Sequence, residues 1–209
     1  DLLYKARELR DRNPHKYMTE VLNKNVSGDY VFESKNASFC YEVVGVEDSK
    51  FCQFILIGGT KDSYDFTMWG SNTARMYECM GGGNGQYNMH FCFDTWSEAS
   101  NIEYSWHILA QNSNLFGCVG LRNKQYCILN KQYTKEKYEA LVPKIIQHMN
   151  NMPYVDKKGR VYKYGEFFPP EISAYAYNET IAQKFFPLTK EEALSKGYAW
   201  RDEEVRNYS

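Results

Sequence analysis

Between Asn36 and Asn130 the apolar residues follow no helical period and recur instead at a long, fixed step. Phe39, Tyr64, Met89 and Leu115 are separated by 25, 25 and 26 residues; Phe51, Met76, Ile102 and Cys127 are separated by 25, 26 and 25. The two series interleave at half that step. Within the first series, alternate positions such as Phe39-Tyr41-Val43, Tyr64-Phe66-Met68 and Met89-Phe91-Phe93 are apolar or aromatic. The positions between them, Cys40-Glu42, Asp65-Thr67 and His90-Cys92, are polar or small, as a half-buried strand requires. Turn residues at Gly58-Gly59, Gly70-Ser71-Asn72 and Gly81-Gly82-Gly83 separate the runs. The pattern predicts a mainly β fold, a parallel β-solenoid (right-handed β-helix) of about 25 residues and two strands per coil. A coil of half that length is disfavoured, because it encloses too little volume for stacked Phe, Tyr and Met. An antiparallel sandwich is the structural alternative.

Helical periodicity appears only at the flanks. Leu2 to Arg12 reads as a short amphipathic helix stopped by Asn13-Pro14. Thr134 reads as the N-cap of a longer one whose apolar face is Tyr138, Leu141, Val142, Ile145, Ile146 and Met149. Pro143 is expected to kink that helix or mark its true start. A hairpin turning at Lys157-Lys158-Gly159 follows, then the extended Glu166-Phe-Phe-Pro-Pro170, a helix near 178–185, and a last helix opened by the capping box Thr189 to Glu192. The expected organisation is an N-terminal helical segment at residues 1–24, the solenoid at 25–131, and a helical and extended cap at 132–209.

Composition narrows the function classes. Lys plus Arg total 25 against 26 Asp plus Glu, a net charge of -1, which argues against nucleic-acid binding through this chain. The longest apolar run, Phe54-Ile55-Leu56-Ile57, is far too short for a membrane span, and no leader pattern opens the chain. With the six cysteines expected to be free structural thiols, the expectation is a cytoplasmic protein without membrane insertion. Sequons at Asn25, Asn36, Asn178 and Asn207 carry no weight without a secretory route. Aromatics are the anomaly, at 16% of residues.

Three strings carry a resemblance: Phe116-Gly-Cys-Val-Gly-Leu-Arg-Asn-Lys-Gln-Tyr-Cys-Ile-Leu-Asn-Lys-Gln-Tyr133, Gly165-Glu-Phe-Phe-Pro-Pro170, and Tyr177-Asn-Glu-Thr180 with Phe186-Pro-Leu-Thr-Lys-Glu-Glu-Ala193. With Asn25-Val-Ser-Gly-Asp-Tyr30, they make nearly the whole chain similar to a β-helix family of candidate-phyla (Patescibacteria-type) bacteria. That resemblance implies architecture and lineage and no activity. Members carry flanking zinc-ribbon Cys-x-x-Cys motifs, and this chain has none, so a metal or nucleic-acid role tied to the ribbons does not transfer to residues here.

Few residues suggest chemistry. On the long register, Asp65 and His90 stack one coil apart, the raw material for general-base chemistry or an ordinary cross-coil hydrogen bond. Glu78 and Glu103 stack likewise, as a like-charge pair able to bind a cation. Cys92 and Cys118 share an outward offset, giving two neighbouring small residues, a disulfide or half of a metal site. No set of four ligands converges, so neither a metal nor another cofactor is expected. Trp69, Trp96, Trp106 and Trp200 are candidates for stacking on sugars or bases, with interior filling as the plainer explanation. The reading is a non-enzymatic interaction or assembly module with a protein partner or self-association. A carbohydrate-active enzyme or carbohydrate-binding protein is the competing class, and nucleic-acid association through absent zinc ribbons is the third.

Overall fold

The computed structural model describes residues 1–96 and 98–202, so the Asn207 sequon lies outside the described residues. The chain divides into two compact units, 1–134 and 135–209. The first is a parallel β-solenoid of about eight coils, preceded by helix α1 (Leu2–Asp11).

The coil is half the expected length. Ala37 pairs directly with Ser49, Phe66 with Cys79, Met76 with Met89 and Ile102 with Leu115, always on neighbouring parallel strands. One circuit is shortest from Lys24 to Lys35 and longest from Val46 to Thr60. The two interleaved apolar series are therefore not two faces of a long coil. Met76, Met89, Ile102, Leu115 and Cys127 are successive members of one inward column.

A short coil closes because the backbone turns at about every third position, with extra residues at some corners. Val31, Ser34, Ala37, Cys40, Val43, Val46, Ser49, Cys52 and Ile55 are all buried. Each is preceded by a residue with positive φ: the nine from Tyr30 to Phe54 have φ between 48° and 60°. One left-handed residue per side turns the chain through a corner, and four sides complete the circuit. Left-handed conformations cost L-residues about 1–2 kcal/mol each, least for Asn and Asp. One corner accordingly reads Asn25, Asn36, Asp48, Asp62, Arg75, Asn88, Asn101 and Asn114. Its amides bond from coil to coil, Asn36 Nδ2 donating to Asp48 Oδ1 at 2.7 Å and Asn88 Nδ2 to Asn101 Oδ1 at 2.8 Å.

The interior is filled by small and medium residues. Large ones are matched by small ones on the same coil: Phe66 shares its coil with Thr60, Ser63 and Gly70. The large aromatics expected inside lie outside, with Phe39 at 52% and Tyr64 at 42% exposure, whereas Cys40 and Cys92 point inward. Phe39, Phe51, Tyr64 and Tyr77 instead form a ladder on the outer surface, with successive ring centroids 5.3 to 5.7 Å apart. The parallel run ends where Lys131–Gln132 turns back antiparallel onto Gln125–Ile128.

The second unit opens with helix α2 (Lys135–Asn151), which passes through Pro143, so the proline is not its start. Its six expected apolar residues are the half-buried face. The hairpin pairs Tyr154–Val155 with Val161–Tyr162 around Asp156, whose carboxylate accepts from Arg160 Nε at 2.5 Å and from the Lys158 and Arg160 amides at 2.8 and 2.9 Å. Beyond it the Glu166–Pro170 stretch runs into a 3-10 turn at Pro170–Ile172. The helix expected near 178–185 is a 3-10 turn at Tyr177–Glu179 followed by α3 (Ala182–Phe185). The capping box of Thr189 and Glu192 opens α4 (Lys190–Ser195).

Candidate functional site

The coil length redraws every proposed pair. Asp65 has Glu78 beside it on the next coil, because Tyr64 pairs with Tyr77. His90 pairs with Tyr77 and Glu103. Asp65 and His90 are thus two coils apart on neighbouring columns, and so are Glu78 and Glu103, whose register partner on the following coil is Phe116. Neither pair is brought together. Cys92 and Cys118 are inward and buried, with Ser105 between them in the column. Among the described residues no three His, Cys, Asp or Glu side chains cluster as metal ligands.

The cysteines have a structural explanation. Each thiol faces the carbonyl two positions earlier: Cys40 to Ser38, Cys52 to Lys50, Cys79 to Tyr77, Cys92 to His90, Cys118 to Phe116 and Cys127 to Gln125, at 3.2 to 3.6 Å. Inward serines do the same more strongly, Ser34 to Phe32, Ser49 to Glu47 and Ser63 to Lys61, at 2.7 to 2.8 Å. The corner leaves that carbonyl inside the coil, and a buried polar group needs a partner. Cys and Ser are the small side chains that supply one. Burial pushes the Cys92, Cys118 and Cys127 thiols up, and the neighbouring Cys40 thiol together with burial pushes Cys52 up, so all four stay protonated. Protonated, buried thiols are poor nucleophiles and poor ligands.

Chemistry therefore has to be sought on the outer surface. A column runs Met80, Phe93, Trp106 and Val119, one per coil and directly paired from each coil to the next. All four are exposed, Trp106 at 41%. The Phe93 and Trp106 rings lie 6.1 Å apart. Beside this column, the corner residues Asp94 and His107 stand on the same two coils. Asp94 Oδ2 meets His107 Nδ1 at 2.7 Å, and Asp94 Oδ1 accepts from Trp96 Nε1 at 2.6 Å. One carboxylate thus holds an imidazole and an indole in place. Trp96, 49% exposed, meets the Trp69 ring edge-on at 5.3 Å. Trp69 lies against Gly83, where a Cβ would come within 2.7 Å of the indole. The glycine is what lets the ring sit on the backbone.

Two of the tryptophans singled out in the sequence, Trp96 and Trp106, thus stand outside the core as half-exposed rings, and interior filling does not account for them. The Asp94–His107 pair and the Met80-to-Val119 column went unread, although their one-coil spacing is plain in the sequence once the coil length is known. Elsewhere on the surface, Glu47 bridges Lys35 at 2.9 Å and Lys61 at 2.7 Å across three coils. The bonds from the two ammonium groups push the Glu47 carboxyl down to about 2. No described helix is long and apolar enough to cross a membrane.

Fold and surface together define a β-solenoid repeat protein with a polar-pinned aromatic face. The chain matches no protein-family model, no curated protein and no solved structure.

Proposed function

We propose that the chain is a non-enzymatic interaction module that holds an extended partner along the outer face of its solenoid. The observation that carries this is the exposed Met80, Phe93, Trp106 and Val119 column with Trp96 beside it. Scattered apolar residues on a surface are ordinary, whereas a contiguous file of them marks an interaction site. A solenoid suits the role because each coil repeats the same outward positions, so the surface extends in one dimension. The competing reading, a carbohydrate-active enzyme, would rest on Asp94. Glycoside hydrolysis ordinarily uses two carboxylates across the scissile bond, and Asp94 stacks between Gly81 and His107 with both oxygens engaged in holding neighbours. That is the geometry of a positioning group.

On the same reading, the chain is a cytoplasmic member of the candidate-phyla β-helix family. Replacing Val119 with a benzophenone amino acid and irradiating source cells tests the reading. Adducts are expected at Val119 and not at Lys24, which lies in a different column. Equal labelling at both positions, or none at either, overturns it.

A further inference from the structure

We infer that the face carrying Phe93, Trp96 and Trp106 binds a neutral, extended glycan laid along the solenoid axis. This rests on the interaction-module reading and names its occupant.

Along four successive coils the outer column reads Met80, Phe93, Trp106 and Val119, and the adjacent corner reads Gly81, Asp94, His107 and Gly120. These two columns hold one carboxylate, one imidazole and no Lys or Arg, and the column through Trp96 adds a single cation, Arg122, two coils on. Binding a nucleic-acid strand or an anionic lipid surface needs a basic track beside the aromatic rings, and this face does not have one. A neutral occupant fits.

Shape and hydrogen bonding then select among neutral occupants. Successive coils are about 4.8 Å apart, close to the advance of one sugar unit in an extended β-linked chain. Phe93 and Trp106 sit on neighbouring coils with ring centroids 6.1 Å apart, so the rings meet successive units of such a chain. A pyranose offers an apolar C–H face to an aromatic ring and a rim of hydroxyls to polar groups. The rim is provided for. Asp94 keeps unused lone pairs after bonding Trp96 and His107, since a carboxylate accepts at about four sites. His107, engaged at Nδ1, keeps Nε2 for a hydroxyl. The exposed indole of Trp96 is fixed by a hydrogen bond to Asp94, which lowers the entropy lost on stacking.

The test is calorimetric titration of the purified chain with cellohexaose, xylohexaose and chitohexaose, and with a short oligothymidylate as the charged control. At least one hexasaccharide is expected to bind, and the oligonucleotide is expected not to. Trp106→Ala and Trp96→Ala should each weaken binding by about tenfold or more, while Phe39→Ala on another column leaves it unchanged. Far-ultraviolet circular dichroism and melting of each variant check that the solenoid is intact; both tryptophans are outward, so it should be. No binding of any hexasaccharide, binding unaffected by either tryptophan change, or preference for the oligonucleotide overturns the inference. The adduct at Val119 separates the two readings. A protein adduct with no sugar binding leaves the interaction module standing and removes the glycan, and no adduct with no sugar binding removes both.

Discussion

Phe66 is the strongest test of the short coil. Its side chain is fully buried, and its column neighbours are Cys52 and Cys79. Its own coil contributes only Thr60, Ser63 and Gly70 to the interior. Truncation by Phe66→Ala opens a cavity that those small side chains cannot collapse into, and the backbone around it is fixed by ladders on both sides. Phe→Ala in cores costs about 3–5 kcal/mol, and a site that cannot relax belongs at the upper end. For a chain of this size, each kcal/mol moves the melting temperature by about 2–4 °C, so the midpoint should fall by roughly 8–20 °C. The matched control is Phe39→Ala, which on a coil of twice the length would be just as buried. It is 52% exposed and stacks on Phe51 at 5.4 Å, so it should cost about 1 kcal/mol, the worth of an aromatic pair. Guanidinium titration followed by circular dichroism, alongside calorimetric melts at two scan rates, measures both. Equal losses for the two variants, or a larger loss for Phe39→Ala, would refute the four-sided coil.

Three further outcomes follow from the same geometry. Gly28→Ala puts a Cβ 1.7 Å from the Cys40 carbonyl oxygen at a φ of 133°, so the first coils should detach, read as faster amide exchange from Val26 to Val43 than in the parent. All six thiols should be silent to a disulfide reagent in the native protein and react together on unfolding, and Cys92→Ser should fold, because serine makes the same bond two positions back at Ser34, Ser49 and Ser63. Early reaction of a native thiol counts against the inward assignment. Glu47, whose carboxyl is pushed down to about 2 in the folded chain against an ordinary 4.5, contributes stability that is present above pH 4.5 and lost as pH falls toward 2. Glu47→Gln should therefore flatten the acid limb of the melting curve between those values, and an unchanged limb would show that the three-coil ion bridge contributes nothing.

The outer surface shows most plainly why some of the chemistry was hidden. His107 follows Asp94 by one full coil and Trp96 follows it by two positions, spacings with no meaning until the coil length is known. The pairs suggested instead, Asp65 with His90 and Glu78 with Glu103, were built on a doubled step and landed two coils apart.

The sequence by itself determined the class. A recurring long step, alternating small and apolar residues and turn-forming Gly and Asn specify stacked parallel coils, because each unit can bury its interior only against a copy of itself. It also marked α1, the apolar face of α2, the hairpin at Lys157-Lys158-Gly159 and the capping box at Thr189, which are local signals carried by neighbouring residues. The tertiary structure alone decided the coil length and which way each side chain faces. Period-2 alternation presumes extended backbone, and here a left-handed residue at about every third position resets the direction, so along most of the solenoid the buried residues repeat by three. Phe39 and Phe66 are indistinguishable as letters, and the corner before Cys40 turns one outward while the corner before Phe66 turns the other in. Left-handed corners on Phe, Glu and Tyr have no local signature, because their cost is met by the ladders of the coils above and below.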